Sequence, residues 1–437
     1  MSNLKGVIIQ KGAVGVSVTP PDTSVSLLVI CGMWLQSESE SANPEYVDVL
    51  HDDSRQYTFT SVKQAEAIGI TKENDFKHGL HVHRHISEFF RMAGNGTKLY
   101  VLMFKDSLKI NLTTGLPNLK AAILDYTKGD VRQVGLIDNL HGENVAPVWT
   151  LIDGITTETK ACMTAVADLY QWAYEKDIPF SVMLGGGNFE PLSATAYNMR
   201  DEAVSLNCSG LSVMICREKK YYEDFADNAT IGANNTVFAD IGTALGVMAR
   251  AEINQNIGDN EAFNLTDVVK GAWEEAVFLQ GSPIMSNLYI QDWEDFGYIF
   301  AVKYSGLNGW RFNGDHNCTP IVIDADGNMN EHTIAYTRTM NEASRLLRKV
   351  LIPKVKTRQP VDPTTGKLPA GVVKTFDNLG DGVFADMVNR KHISAGKTFT
   401  DPNSDLLVEK VLNVEWSLVP YGSVGEIKGL LNLKNKI

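Results

Sequence analysis

The chain has 437 residues, 44% of them hydrophobic, 21% charged and 9% aromatic, an ordinary globular balance that excludes an intrinsically disordered protein. Forty Lys and Arg stand against 52 Asp and Glu, a formal charge of -12, which argues against a global electrostatic binder of nucleic acid or anionic membrane and leaves room only for a local basic patch. At about 150 residues per domain the length predicts two or three domains, or one large core with insertions.

From the N-terminus, residues 4–10 read as a short apolar strand and residues 11–21, with Gly12, Gly15, Pro20 and Pro21, as an extended tether. That start is too short for the apolar segment of a signal peptide, so synthesis and first use in a cytoplasm are expected. The longest apolar run, residues 25–35, is broken by Ser26, Cys31 and Gly32 and falls short of the roughly 20 residues that span a bilayer. A buried strand is predicted over 24–31, followed by an acidic, Ser-rich loop over 36–45. Across 61–260, strand patterns at 98–104, 131–137, 179–184 and 211–216 alternate with helical ones at 82–93, 116–126, 159–174 and 237–251. Apolar strands separated by amphipathic helices predict an α/β layer around a largely parallel sheet.

Residues 283–330 are turn-rich and aromatic. Tyr336, Met340, Ala343, Leu347 and Val350 then recur at helical spacing until Pro353, and a further helix is expected near 381–389. From Glu409 on, Leu412, Val414, Trp416 and Leu418 alternate with polar residues, the period of a strand, and a last strand is expected over 426–433.

The search for chemistry yields no catalytic residue, cofactor site or metal site. His78, His81, His83 and His85 cluster, and His81 with His85 could share a helix face, but no supporting ligand pattern completes a metal site and a solvated helix start is the simpler reading. Gly185, Gly186 and Gly187 follow a strand without the Lys-Ser or Lys-Thr of a phosphate loop, so a sharp turn is expected. Asp324, Asp326, Gly327 and Asn328 place Gly too early for a calcium loop and fit an Asx or Gly turn. The five cysteines, Cys31, Cys162, Cys208, Cys216 and Cys318, form no Cys-x-x-Cys pair and read as buried free thiols. Arg345, Arg348, Lys349, Lys354, Lys356 and Arg358 have no acid among them. The first three lie off the apolar stripe of their helix, which suggests a solvated face or a docking face for an acidic protein surface. Strand-forming sequence at both ends suggests strands that either fold back into their own sheet or add to a neighbour's.

The sequence resembles the contractile tail sheath proteins of phages and related injection systems, especially a sheath-like variant of the Bacteroidetes type. The resemblance is carried, in order, by Leu4-Lys-Gly-Val-Ile-Ile9, Ala65-Glu-Ala-Ile-Gly-Ile70, Ile86-Ser-Glu-Phe-Phe-Arg-Met-Ala-Gly94, Leu245-Gly-Val-Met-Ala249 leading to Gly258, Tyr304-Ser-Gly-Leu-Asn-Gly-Trp310 with Asp315-His316, Arg345 to Pro353, Val361-Asp-Pro-Thr-Thr-Gly366 and Leu412-Asn-Val-Glu-Trp-Ser-Leu-Val-Pro420. It implies a non-enzymatic structural subunit without cofactor. Stacked hexameric rings around a tail tube would contract to drive the tube through a target envelope, with the tube, baseplate and tail terminator proteins and further copies of the chain as partners, and neither nucleic acid nor membrane insertion. The expected layout is an N-terminal arm and tether over 1–21, an α/β sheath body with a mixed sheet over 22–330, and a C-terminal assembly domain over 331–437, α+β overall. Val7, Ile8 and Ile9 would form one exchanged arm strand, and Leu412, Val414, Trp416 and Leu418 the other. Arg345, Arg348 and Lys349 would face the tube, with Lys354 and Lys356 as runners-up. Another tail or baseplate structural protein, or an α/β enzyme, are the alternatives. The particle would be a virion tail or injection device assembled in a bacterial cytoplasm.

Overall fold

The computed structural model describes residues 22–32 and 54–434, apart from 105, 140–150, 153, 188–195, 202–205, 229–237, 280 and 286–287. The predicted first arm, with Val7, Ile8 and Ile9, the tether and the acidic loop after residue 32 therefore lie outside the described residues.

Seven strands form the central sheet: β1 (Ser26–Cys31), β2 (Ser54–Phe59), β3 (Leu99–Phe104), β4 (Gln133–Asp138), β5 (Ser181–Gly185), β6 (Leu211–Met214) and, past a short strand β7 (Cys216–Glu218) outside it, β8 (Tyr298–Ile299). Their order is β8-β6-β5-β4-β1-β3-β2. All neighbours run parallel except β2, which is antiparallel to β3 at one edge. Every residue of β1 and β3 is buried, as expected of a parallel sheet covered on both faces. The mixed α/β sheet agrees with the sequence reading.

The crossovers are helices α1 (Val82–Ala93), α2 (Leu116–Thr127), α3 (Thr157–Glu175) and α4 (Ile241–Arg250). Thr156 caps α3 by accepting from the Thr159 amide, and Gly94 ends α1 at φ 86°, a conformation that glycine adopts without strain. Helices α1 and α4 approach closely because of one glycine pair. A Cβ on Gly242 would stand 2.2 Å from the His85 carbonyl oxygen, and one on Gly246 2.6 Å from that of Phe89. Both contacts are to backbone, which cannot swing aside. Gly242→Ala and Gly246→Ala are each expected to cost about 1–3 kcal/mol, read as a lower urea midpoint.

The turn at Gly185 to Gly187 closes β5 as expected, with Gly187 at φ 60°. Asp324 Oδ1 accepts from the amides of Asp326 and Asn328, which makes the turn expected there an Asx turn. All five cysteines are free and buried.

The C-terminal part contains α5 (Ile334–Leu351), α6 (Ala370–Asn389) and an antiparallel pair, β9 (Ile393–Thr400) with β10 (Val414–Pro420). Helix α6 begins eleven residues before the predicted one, and β9 was not predicted at all. Ala343, Leu347, Phe384, Met387 and Ile393 form a small core of their own, separate from the main one.

Candidate assembly surfaces

Helix α5 joins this small core to the body, and its polar residues determine how. Thr333 caps it by accepting from the Tyr336 amide. Buried Asp315 accepts from the Ala335 amide at 3.1 Å. Arg338 donates to the carbonyls of Ala251 and Glu252. Arg345 donates to those of Gly129, Val131 and Pro179 at 2.8, 2.8 and 2.7 Å, beside the starts of β4 and β5. Burial, together with nearby Arg132, pushes the Arg345 guanidinium down to about 10. Arg345 is therefore a bolt between α5 and the sheet, and its expected place among the tube-facing cations is corrected. The apolar stripe predicts one buried face for this helix, whereas α5 buries a second one against the ends of the sheet.

Arg348 is half exposed and bridges to Asp177 at 2.9 Å. Lys349, Lys354, Lys356 and Arg358 are exposed and make no ion pair among the described residues. A band of cations thus runs along the end of α5 and the segment after it.

Burial raises the Asp315 carboxyl to about 6. A buried carboxyl titrating above its unfolded value, about 3.9, stabilises the fold fully below that value and loses the contribution as pH rises through about 6. The loss is on the order of 3 kcal/mol. Asp315→Asn, which keeps an acceptor oxygen but cannot ionise, should flatten this part of the dependence. Urea midpoints of both proteins between about pH 4 and about pH 7 check it.

Among the described residues, β10 pairs only with β9, leaving its outer edge open. Val414, Trp416 and Leu418, expected as an arm strand, pair within the chain against Thr400, Thr398 and Gly396. Leu412 precedes the strand and packs beside Leu368, Val372 and Phe376. An apolar groove of about 850 Å³ lies between this edge and α5, lined by Met340, Leu347, Leu351, Val355, Trp416 and Leu418.

Residues 426–433, expected as a last strand, pair with no strand among the described residues. Residues 421–434 have no secondary structure, and they carry Val424, Ile427, Leu430, Leu431 and Leu433, which are 78% to fully exposed. Unpartnered apolar residues on this scale mark a contact surface. An open strand edge, an apolar groove and an apolar tail thus occur together in the C-terminal part.

A second polar feature escaped the sequence reading, which took the histidine cluster for a solvated helix start. His81, Arg84, His85 and Glu88 are buried, and burial holds His85 well below the usual imidazole range. Arg84 binds Asp240 with two hydrogen bonds, at 2.9 and 3.0 Å, and Glu218 at 2.7 Å. Glu88 accepts from Arg91, Thr243 and Trp273 at 2.6, 2.9 and 3.1 Å. Burial alone would raise the Glu88 carboxyl, but Arg84 and Arg91 outweigh it and hold it at about 2. The network ties α1 to β7 and to the start of α4. Its partners are distant in sequence, so only the Arg84, Glu88 and Arg91 spacing on α1 could have signalled it.

Among the described residues, no group of three or more His, Cys, Asp and Glu is placed to hold a metal ion, and no helix is long and apolar enough to cross a membrane.

Compared with known structures, the chain has the fold of contractile sheath proteins. It matches the helical sheath of the anti-feeding prophage in its contracted state with a TM-score of 0.58 and 13% identity, covering 100% of both chains. It also matches a chain of the anti-feeding prophage baseplate with a TM-score of 0.53 and 14% identity, covering 99% of this chain and 100% of that one. The family described as DUF2586, C-terminal domain, matches residues 332–437. No curated protein matches the chain in sequence.

Proposed function

We propose that the chain is the structural subunit of a contractile tail sheath, polymerising as stacked hexameric rings around a tail tube and contracting to drive that tube through a target envelope. The observation that carries this reading is the full-length fold match to the anti-feeding prophage sheath. The division into an arm and tether over 1–21, a body over 22–330 and an assembly domain over 331–437 belongs to the same proposal. A strand arriving from a neighbour would extend the sheet at β10 and lay its apolar face in the groove over α5. Main-chain hydrogen bonds make such an attachment tolerant of sequence, and the two candidate donors are residues 4–10 and the tail after Pro420. Energy for contraction would be stored in the assembly itself, with no enzyme activity or cofactor required. The particle is a virion tail or injection device assembled in a host cytoplasm, with baseplate and terminator proteins at its ends.

Arg348, Lys349, Lys354 and Lys356 are proposed to meet an acidic tube surface. Exposed pairs of this kind contribute only about 0–1 kcal/mol each, enough in number to hold a state and weak enough to release it. Reversing all four to Glu should leave self-polymerisation intact and abolish co-assembly on the tube, measured by co-sedimentation and microscopy. Tube-bound sheath at normal yield would reduce the band to a solvated face.

A baseplate role is the second reading, favoured by the baseplate match. It predicts a discrete oligomer in place of an open-ended polymer.

A further inference from the structure

The ionic network of α1 forms the floor of a cavity of about 790 Å³ that the assembly reading leaves without a role. Lys63, Lys72, Lys220 and Lys270 line it, and all four are exposed. Of the acids in its lining, Glu66 bridges to His83 at 3.2 Å, and Glu88 and Glu218 are held by Arg91 and Arg84. Tyr221, 8% exposed, also lines it, and its hydroxyl has no hydrogen-bond partner among the described residues. The result is a lysine-rimmed pocket with a buried guanidinium floor, on a chain whose charge is -12.

One segment of the chain has the opposite chemistry. Residues 33–53 contain Glu38, Glu40, Glu45, Asp48, Asp52 and Asp53 and no Lys or Arg. They join the end of β1 to the start of β2, where Ser54 pairs with Phe104 at the end of β3. The pocket's Ser61 and Lys63 follow the opposite end of β2, where Phe59 pairs with Leu99. The two residues that flank the segment thus lie at the end of the strands opposite the one that leads into the pocket.

We infer that the lysine-rimmed pocket binds the acidic segment 33–53 of a second copy of this chain. The contact is heterologous, so it propagates from copy to copy into a ring or an open filament, and it rests on the reading that the chain self-assembles. Charge complementarity of this kind governs encounter and register and weakens with salt.

Two full-length variants test it, one with Lys63, Lys72, Lys220 and Lys270→Glu and one with Glu38, Glu40, Glu45 and Asp48→Lys, each first checked for native circular dichroism. Sedimentation velocity is expected to show that each alone self-associates about tenfold more weakly than wild type, and that an equimolar mixture recovers association. Unchanged association of both variants overturns the inference. So does recovery only when both sets of changes share one chain, which would put the segment in its own pocket. If the wild-type chain does not polymerise at all, the assembly reading fails. A labelled peptide of residues 33–53 then decides the inference alone: salt-sensitive binding to wild type, lost in the Lys→Glu variant and in a Glu→Gln peptide, supports it, and absence of binding refutes it.

Discussion

A chain lacking residues 421–437 is expected to fold normally and to lose the ability to form long polymers. The tail's described residues make few contacts in their own subunit, the Lys428 and Glu426 pair being a local one, so their removal should leave the melting temperature nearly unchanged. Between subunits the balance reverses. Burying Val424, Ile427, Leu430, Leu431 and Leu433 would be worth about 1.5–3 kcal/mol per side chain, before the costs of ordering the tail and of association. Losing that sum should convert an open-ended polymer into monomers or short assemblies, visible by sedimentation and negative-stain microscopy. Deletion of residues 1–15 should act in the same direction if the N-terminal segment supplies the second strand. Cylinders of normal length from either truncation would exclude the arm that was removed.

Replacing Arg84 with alanine is the second large effect. Arg84 stands between Asp240 and Glu218 with its guanidinium fully engaged, and burial of its charge is outweighed by Asp240, Glu88 and Glu218, which push its pKa well above the usual value. Without it, the buried carboxylates of Asp240 and Glu218 would lose their bonded partner, while Glu88 would keep Arg91. Breaking a buried pair by removing one partner costs about 3–5 kcal/mol, so the urea midpoint should fall far, or the body should fail to fold. Arg84→Lys should recover only part of the loss, because an ammonium cannot bind Asp240 with two parallel hydrogen bonds. A change below about 1 kcal/mol would place the network among peripheral contacts.

How far the molecule could be read in advance follows from how local each signal is. The strands of the parallel sheet are continuous apolar runs, and their helices carry apolar faces at regular spacing, so both were legible. Strand β9 was not, because its sequence, ISAGKTFT, has no apolar run. It holds its place through Gly396, whose missing side chain admits the Phe384 ring, and through Thr398, which fills the space left by Gly380. The first half of α6 was hidden by Gly371, Gly380 and β-branched residues that disfavour a helix, and packing of Val372 and Phe376 overrides that preference. Arg345 was misread because its acceptors are backbone carbonyls, which no sequence pattern displays. Of the two strands expected at the C-terminus, β10 forms, and residues 426–433 have no secondary structure.

The central claim is that this chain builds an open, contractile polymer. Electron microscopy of the purified full-length protein tests it most directly. Striated hollow cylinders with stacked sixfold rings are the predicted result, and a uniform population of monomers or small closed oligomers at high protein concentration would contradict it.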